Sequence, residues 1–154
     1  MFENCVSFTG HRQAPYTLRQ PLDRVIELLF HKGYTTFLSG MALGFDMLAA
    51  EAVLRAKNNH PEIKLIAVLP FPQQSEKFSP SSKSRYQSIL QQADNVVITS
   101  NEYTNAGVYH IRNKYLVEHC SVIVSYYNNT PGGTQKTIEM GRKIGLPIIS
   151  INPE

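Results

Sequence analysis

No apolar run in this sequence approaches the roughly 20 residues needed to cross a bilayer, so no membrane partner is expected. Nor does the N-terminus, MFENCVSFTG, set a basic segment ahead of an apolar one, and no secretory signal is read there. Charge of one sign is missing too. Lys and Arg total 15 against 12 acids, giving +3, and the charges are dispersed. That balance suits a small anionic ligand but makes no basic stripe, so nucleic acid is not expected as a partner. Cysteine is scarce: Cys5 and Cys120 fall in apolar runs, without metal-site spacing. They read as small core hydrophobes in a reducing cytosol, and a cytoplasmic location is expected. His31, His60, His110 and His119 are scattered, so no metal is expected either. Two phosphate-binding signatures are also absent. There is no G-x-G-x-x-G loop and no Gly-Lys-Ser/Thr, which excludes an ATPase of the Walker type.

What is present is enough apolar residue, 42% of 154, for one sizeable core, and the whole of 1–154 is read as a single domain. Short apolar runs alternate with helix-periodic segments throughout. Strands are expected at Cys5–Thr9, Thr35–Leu38, Lys64–Leu69, Asn95–Thr99, Val122–Tyr126 and Pro147–Ile151. Helices are expected over about Pro21–Lys32, from Asp46 to about Lys57, Lys83–Gln92, Val108–His119 and Thr134–Ile144. In the fourth of these, Val108, Ile111, Tyr115 and Leu116 are read as the inward face. KLIAVL is apolar almost throughout, as in a central parallel strand covered on both faces. The alternation predicts an α/β fold: a Rossmann-like, open, mainly parallel sheet with helices on both faces. Pro70 to Ser82, with three prolines and four serines, is the least regular stretch and is read as a functional loop or lid.

In such a sheet, ligands bind at the carboxyl ends of the strands. The turns there carry Thr9, Gly10, His11 and Arg12; Ser39, Gly40, Gly44 and Asp46; Pro70, Phe71 and Gln73; Ser100, Asn101 and Glu102; and Asn128, Thr130, Gly132, Gly133 and Thr134. Three of these turns bear glycine with hydroxyl or charged neighbours. Glycine admits close backbone approach, and a helix start offers unpaired N–H groups and a positive dipole end. NNTPGGTQKTIE, Asn128 to Glu139, fits that recipe, and it also fits a plain turn with a Thr cap. Arg12 suits a phosphate or a surface loop equally. Asp46 suits ribose hydroxyls or capping. His11 reads as a structural hydrogen-bonding residue. Arg112 sits near a helix start, where a cation asks for an anionic partner. Glu139 faces either the pocket or solvent.

FTGHR (Phe8 to Arg12), SGMALGFDMLAAE (Ser39 to Glu51), LPFPQQ (Leu69 to Gln74) and the terminal GGT segment resemble the YpsA-like family. That family belongs to the SLOG superfamily, which also holds the LOG phosphoribohydrolases and the DNA-processing protein Smf. The resemblance covers essentially the whole chain, and its second motif is the most specific. It implies a Rossmann-like fold that binds a nucleotide-derived ligand such as ADP-ribose or NAD, in a sensing or regulatory role, with no required cofactor. Gly44 and Asp46 match the family's implicated glycine and acid. It also implies a homo-oligomer. LOG enzymes supply the enzymatic alternative, an N-glycosidase acting on nucleoside 5′-monophosphates. Pro131, Gly132, Gly133 and Glu139 match the spacing of their P-G-G-x-G-T-x-x-E motif, with Gln135 and Lys136 in place of its Gly-Thr. Arg112 matches their arginine, and Asn113 replaces the adjoining lysine. On that alternative Arg112 and Glu139 are catalytic. The binding residues implied overall are Gly10, Arg12, Ser39, Gly40, Gly44, Asp46, Gly132, Gly133 and Thr134.

Overall fold

The structure, a computed structural model, describes residues 2–154. Six strands alternate with five helices: β1 (Cys5–Gly10), α1 (Arg19–His31), β2 (Thr36–Ser39), α2 (Phe45–Asn59), β3 (Lys64–Leu69), α3 (Pro80–Gln92), β4 (Asn95–Ile98), α4 (Gly107–Glu118), β5 (Val122–Tyr126), α5 (Gly133–Lys143) and β6 (Ile148–Ser150). The strands form one sheet in the order β4-β3-β2-β1-β5-β6, and every neighbouring pair is parallel. The chain works outward from β1 to β4. It then returns across the sheet to place β5 on the other side of β1. Between β1 and β5 the direction of winding reverses. In a sheet of this kind that point opens a crevice at the carboxyl ends of the strands.

Strand alternation divides the core into two layers. Val6, Phe8, Phe37, Leu65, Ala67 and Val124 face α1, α2 and α3. Cys5, Leu38, Val68 and Ile123 face α4, with Leu116 and Val117, and α5, with Met140. The first layer is the larger. Leu22, Val25, Ile26 and Leu29 make the apolar stripe of α1, while α2 buries Ala49, Ala50, Ala52 and Val53. Small side chains suit α2 because it lies between α1, α3 and three strands. Phe8 anchors the layer, with Phe37 at 6.1 Å and Phe45 at 6.3 Å between ring centroids. Burying a side chain of this size contributes about 1.5–3 kcal/mol.

Several expectations shift. A single 3₁₀ turn, Tyr16–Leu18, precedes α1 and buries Leu18. α3 begins three residues early, at Pro80, because Ser79 caps it by accepting from the Ser82 N–H at 3.3 Å and proline fits the first turn. Ile111 is exposed, and α4 instead turns Val108, Arg112, Leu116 and Val117 inward. The stretch after β3 is not a loose lid. Hydrogen-bonded turns link Gln74 to Phe71, Glu76 to Gln73 and Phe78 to Ser75, and Phe71, Gln74 and Ser75 are buried. Among the described residues, no helix is long and apolar enough to cross a membrane.

Candidate functional site

A cavity of about 640 Å³ opens at the carboxyl ends of β1 and β5, where the winding reverses. The loop after β1 (Thr9 to Gln13), the turn before α2 (Ala42, Asp46), Gln74, the inner face of α4 (Tyr109, Arg112, Asn113) and the loop into α5 (Asn128, Thr130 to Thr134) all line it. Gly10, Arg12, Asp46, Gly132, Gly133 and Thr134 therefore meet around one space, with Arg112. Ser39, Gly40 and Gly44 do not line it; Ser39 and Gly40 bond to Asp46 and Arg112, which do, and Gly44 lines a separate cavity with Tyr16 and Arg19. Glu139 does not reach it: the side chain is exposed on α5 and absent from the lining, so the pairing of Arg112 with Glu139 in one pocket does not occur. Ser100, Asn101 and Glu102, after β4, lie outside as well.

The turn from β2 into α2 is built from the chain's own polar groups. Ser39 Oγ donates to the Asp46 carbonyl at 2.8 Å and accepts from the Met41 N–H at 3.2 Å. The Asp46 carboxylate accepts from the Ala42 N–H at 3.3 Å, closing the turn from within the first turn of α2. Asp46 is 7% exposed. Burial pushes its carboxyl up to about 6, against the opposing pull of Arg112 and of the Ala42 N–H. It is the only acid among the residues lining the cavity. Gly44 has φ +86°, and a Cβ there would fall 2.0 Å from the Arg12 carbonyl oxygen. The Phe45 N–H donates to the His11 carbonyl at 3.1 Å, so the loop after β1 rests directly on this glycine.

Arg112 lies in the second turn of α4 and is 5% exposed. Its Nε donates to the Asn113 side-chain oxygen at 2.8 Å. Its Nη1 donates to the Gly40 carbonyl at 2.5 Å and toward Gln74 Oε1 at 3.4 Å. Nη2 takes part in none of these bonds. Gly40 makes the approach feasible, since a Cβ there would stand 2.7 Å from Nη1. Arg112 is in none of the ion pairs among the described residues. Burial lowers its pKa from the ordinary arginine value, while Asp46 pulls it back up. A buried cation held only by neutral acceptors is unfavourable without a counter-charge.

Across the cavity, α5 starts at Gly133 with no side-chain cap on its first turn. The Lys136 N–H makes the first helical bond, to Gly132, and Thr137 Oγ1 donates to the Gly133 carbonyl at 2.8 Å. The N–H groups ahead of it sit at the cavity rim with Thr134, which is buried. His11 ties the two loops together, because its Nε2 accepts from the Asn128 N–H at 3.0 Å, which places the ring proton on Nδ1. Burial lowers the His11 pKa, which favours that neutral form.

Gln74, not Gln73, is the residue of the 70–79 stretch that serves this site. Gln73 is exposed, whereas the Gln74 amide donates to the Gly40 carbonyl at 3.2 Å and to Tyr86 Oη at 3.3 Å. Sequence reasoning missed it because both glutamines follow β3 and only the turn Phe71–Gln74 decides which points inward. Asn113 and Tyr109 were missed as well. The signal was Arg112 itself: Asn113 is its neighbour and Tyr109 lies one turn before it on α4.

Fold and cavity together define a doubly wound, Rossmann-like α/β protein whose site lies at the sheet's reversal point. The chain belongs to the YpsA family, described as the YspA SLOG family, whose model matches residues 2–144. Among curated proteins it is 31% identical over 136 residues to the UPF0398 protein BH1768 of Halalkalibacterium halodurans, covering 87% of this chain and 71% of that one. It is 29% identical over 131 residues to the UPF0398 protein BCG9842_B3730 of Bacillus cereus, covering 78% and 71%. Among solved structures, DNA processing protein A (DprA) from Streptococcus pneumoniae superposes with a TM-score of 0.73 at 20% identity, over 99% of this chain and 51% of that one. DNA processing protein A from Helicobacter pylori does so with a TM-score of 0.72 at 18% identity, over 97% and 66%. This chain thus spans about half of the first structure and 66% of the second.

The exclusion of nucleic acid as a partner is corrected by these neighbours. The Helicobacter pylori protein has a single-stranded DNA binding mode, on a fold that superposes on nearly all of this chain. A dispersed charge of +3 does not exclude such a partner, because net charge reports the whole surface and not the local field of one groove.

Proposed function

We propose that this chain binds a nucleotide-derived ligand, of the ADP-ribose, NAD or nucleoside-phosphate type, in the cavity between β1 and β5. On this reading 1–154 acts as one nucleotide-binding domain, in a sensing or regulatory role. The observation that carries it is Arg112: a buried guanidinium with no ion pair among the described residues and with Nη2 outside its hydrogen bonds there, lining a cavity that also receives the uncapped start of α5. A phosphate there would take the unengaged Nη2 of Arg112 and the N–H groups of Gly133 and Thr134. Arg12 would close over it from the β1 loop. Asp46 would accept a ribose hydroxyl or a base N–H. A nucleotide within a DNA strand presents the same phosphate and sugar, so single-stranded DNA belongs to the ligand classes the reading admits.

The enzymatic alternative, base release from a nucleoside 5′-monophosphate, assigns Arg112 and Glu139 together to one pocket. Glu139 is exposed and outside the lining, so binding is the reading the site supports better. A cytoplasmic setting fits the two free, buried cysteines. A homo-oligomer fits the exposed Val96 and Ile98 on the edge strand β4, which would gain cover from a second copy.

Titration calorimetry with ADP-ribose, NAD, AMP, cyclic dinucleotides and a short single-stranded oligonucleotide tests the proposal. At least one is expected to bind below the millimolar range. Arg112→Met should weaken it about tenfold or more, as loss of a charge-assisted bond does. Glu139→Ala should leave binding unchanged. Absence of binding by every ligand, or equal binding by Arg112→Met, overturns it.

A further inference from the structure

The edge of the fold away from the cavity brings three metal-ligating side chains together. Glu27 and His31 are one turn apart near the end of α1, and His60 is the residue at which α2 stops. Along the chain His60 is 33 positions from Glu27, so only the packing of α1 on α2 unites them. His31 Nε2 lies 3.0 Å from Glu27 Oε1, and His60 Nε2 lies 2.9 and 3.0 Å from the two carboxylate oxygens. All three ligand atoms fall within 4.8 Å of one another. His60 is held in place: its ring stacks on Phe30 with centroids 4.1 Å apart and planes 20° apart.

We propose that Glu27, His31 and His60 form a binding site for a divalent transition metal of the zinc class. The donor set is one carboxylate oxygen and two imidazole nitrogens, the set borderline-soft first-row ions take. Metal–nitrogen and metal–oxygen bonds of about 2.0–2.2 Å put tetrahedral ligands some 3.3–3.5 Å apart. The carboxylate–imidazole distances are already within about half an ångström of that. His31 is exposed, and its ring already stands edge-on to Phe30 and His60, 5.5 and 5.9 Å between centroids, on the third side. Three protein ligands leave the fourth position to water or an incoming donor. A bound ion would pin the end of α1 to the end of α2, adding to the Glu27–His60 hydrogen bonds and the Phe30–His60 stack that join them there.

Tag-free protein, stripped with chelator, is titrated with Zn²⁺ by calorimetry and its melting followed with and without the ion. One equivalent should bind, with a higher melting temperature, and Co²⁺ should bind at the same place with the visible absorption of a tetrahedral centre. Glu27→Gln and His60→Ala should each weaken binding about tenfold or more, since even outer-shell losses cost that much. His31→Ala, at an exposed position, gives the same readout and leaves the His60–Phe30 stack in place. His110→Ala, exposed on α4, should bind as the wild type does. The proposal is overturned if Zn²⁺ gives neither heat nor a melting shift, or if Glu27→Gln and His31→Ala bind as tightly as the unaltered chain.

Discussion

Two charges of opposite sign lie under the cavity, Asp46 and Arg112, and neither is neutralised by an ion pair among the described residues. For each, burial opposes ionisation more than the other's attraction supports it. The consequence for Asp46 has a definite sign. Its folded pKa of about 6 stands above the ordinary value of 3.8. Between those two values the folded state holds a proton that the unfolded chain has released, so stability falls as pH rises through the window. Asp46→Asn removes the titration and keeps an oxygen for the Ala42 N–H. Denaturant unfolding from pH 4 to 7 should show the wild type losing on the order of 2–3 kcal/mol relative to the variant. Parallel curves for the two would show that Asp46 is not destabilised by ionising. Arg112 is legible in the sequence as a cation out of place near a helix start. Its burial is not, because it depends on the missing Cβ of Gly40 and on Gln74, which arrive from distant parts of the chain.

Strands are the best-read elements, since short apolar runs bounded by Gly, Pro and Asn leave little choice of type. Their ends move by one residue at most, where hydrogen bonding and not composition decides. The inward face of α4 is misread because Ile111 outranks Arg112 on any hydrophobic scale, while the fold gives the arginine acceptors at Gly40, Gln74 and Asn113. The turn before α2 is legible as a glycine turn, but its work is mechanical: Gly44 carries the loop after β1. Gly44→Ala would add a side chain at φ +86° and 2.0 Å from the Arg12 carbonyl. Strain of that kind costs about 1–3 kcal/mol before the clash is counted. The variant should therefore lose at least about 2 kcal/mol in urea unfolding and also lose ligand binding as the Arg12 loop lifts. Full retention of stability would mean the two loops part without cost.

At the scale of the molecule, the cavity takes one wall from β1 and the turn into α2, and the other from α4, the loop after β5 and the start of α5. The first wall belongs to the layer of α1 to α3, the second to the layer of α4 and α5. Sheet order is what joins them, and order cannot be read from alternation alone: the same elements permit β5 at either edge. A ligand that spans both walls binds the folded chain and has no site on the unfolded one, so its affinity must appear as stability. At a hundredfold excess over Kd the gain is about 2.7 kcal/mol, which for a chain of this length raises the melting temperature by roughly 5–10 °C. The salt dependence of that shift separates the ligand classes. A mononucleotide enclosed by Arg112 and the start of α5 engages one or two phosphates, so the shift should change little with added salt. Single-stranded DNA lying across the rim releases counterions from each phosphate it brings to a cation, and its affinity falls linearly on a log–log plot, with a slope near 0.7 per contact. A nucleotide-induced shift that survives added salt, together with an oligonucleotide-induced shift that does not, would separate an enclosed nucleotide from a strand held along the rim. Loss of both in Arg112→Met would make that guanidinium their common anchor, whereas loss of the nucleotide shift alone would put the strand on a separate surface.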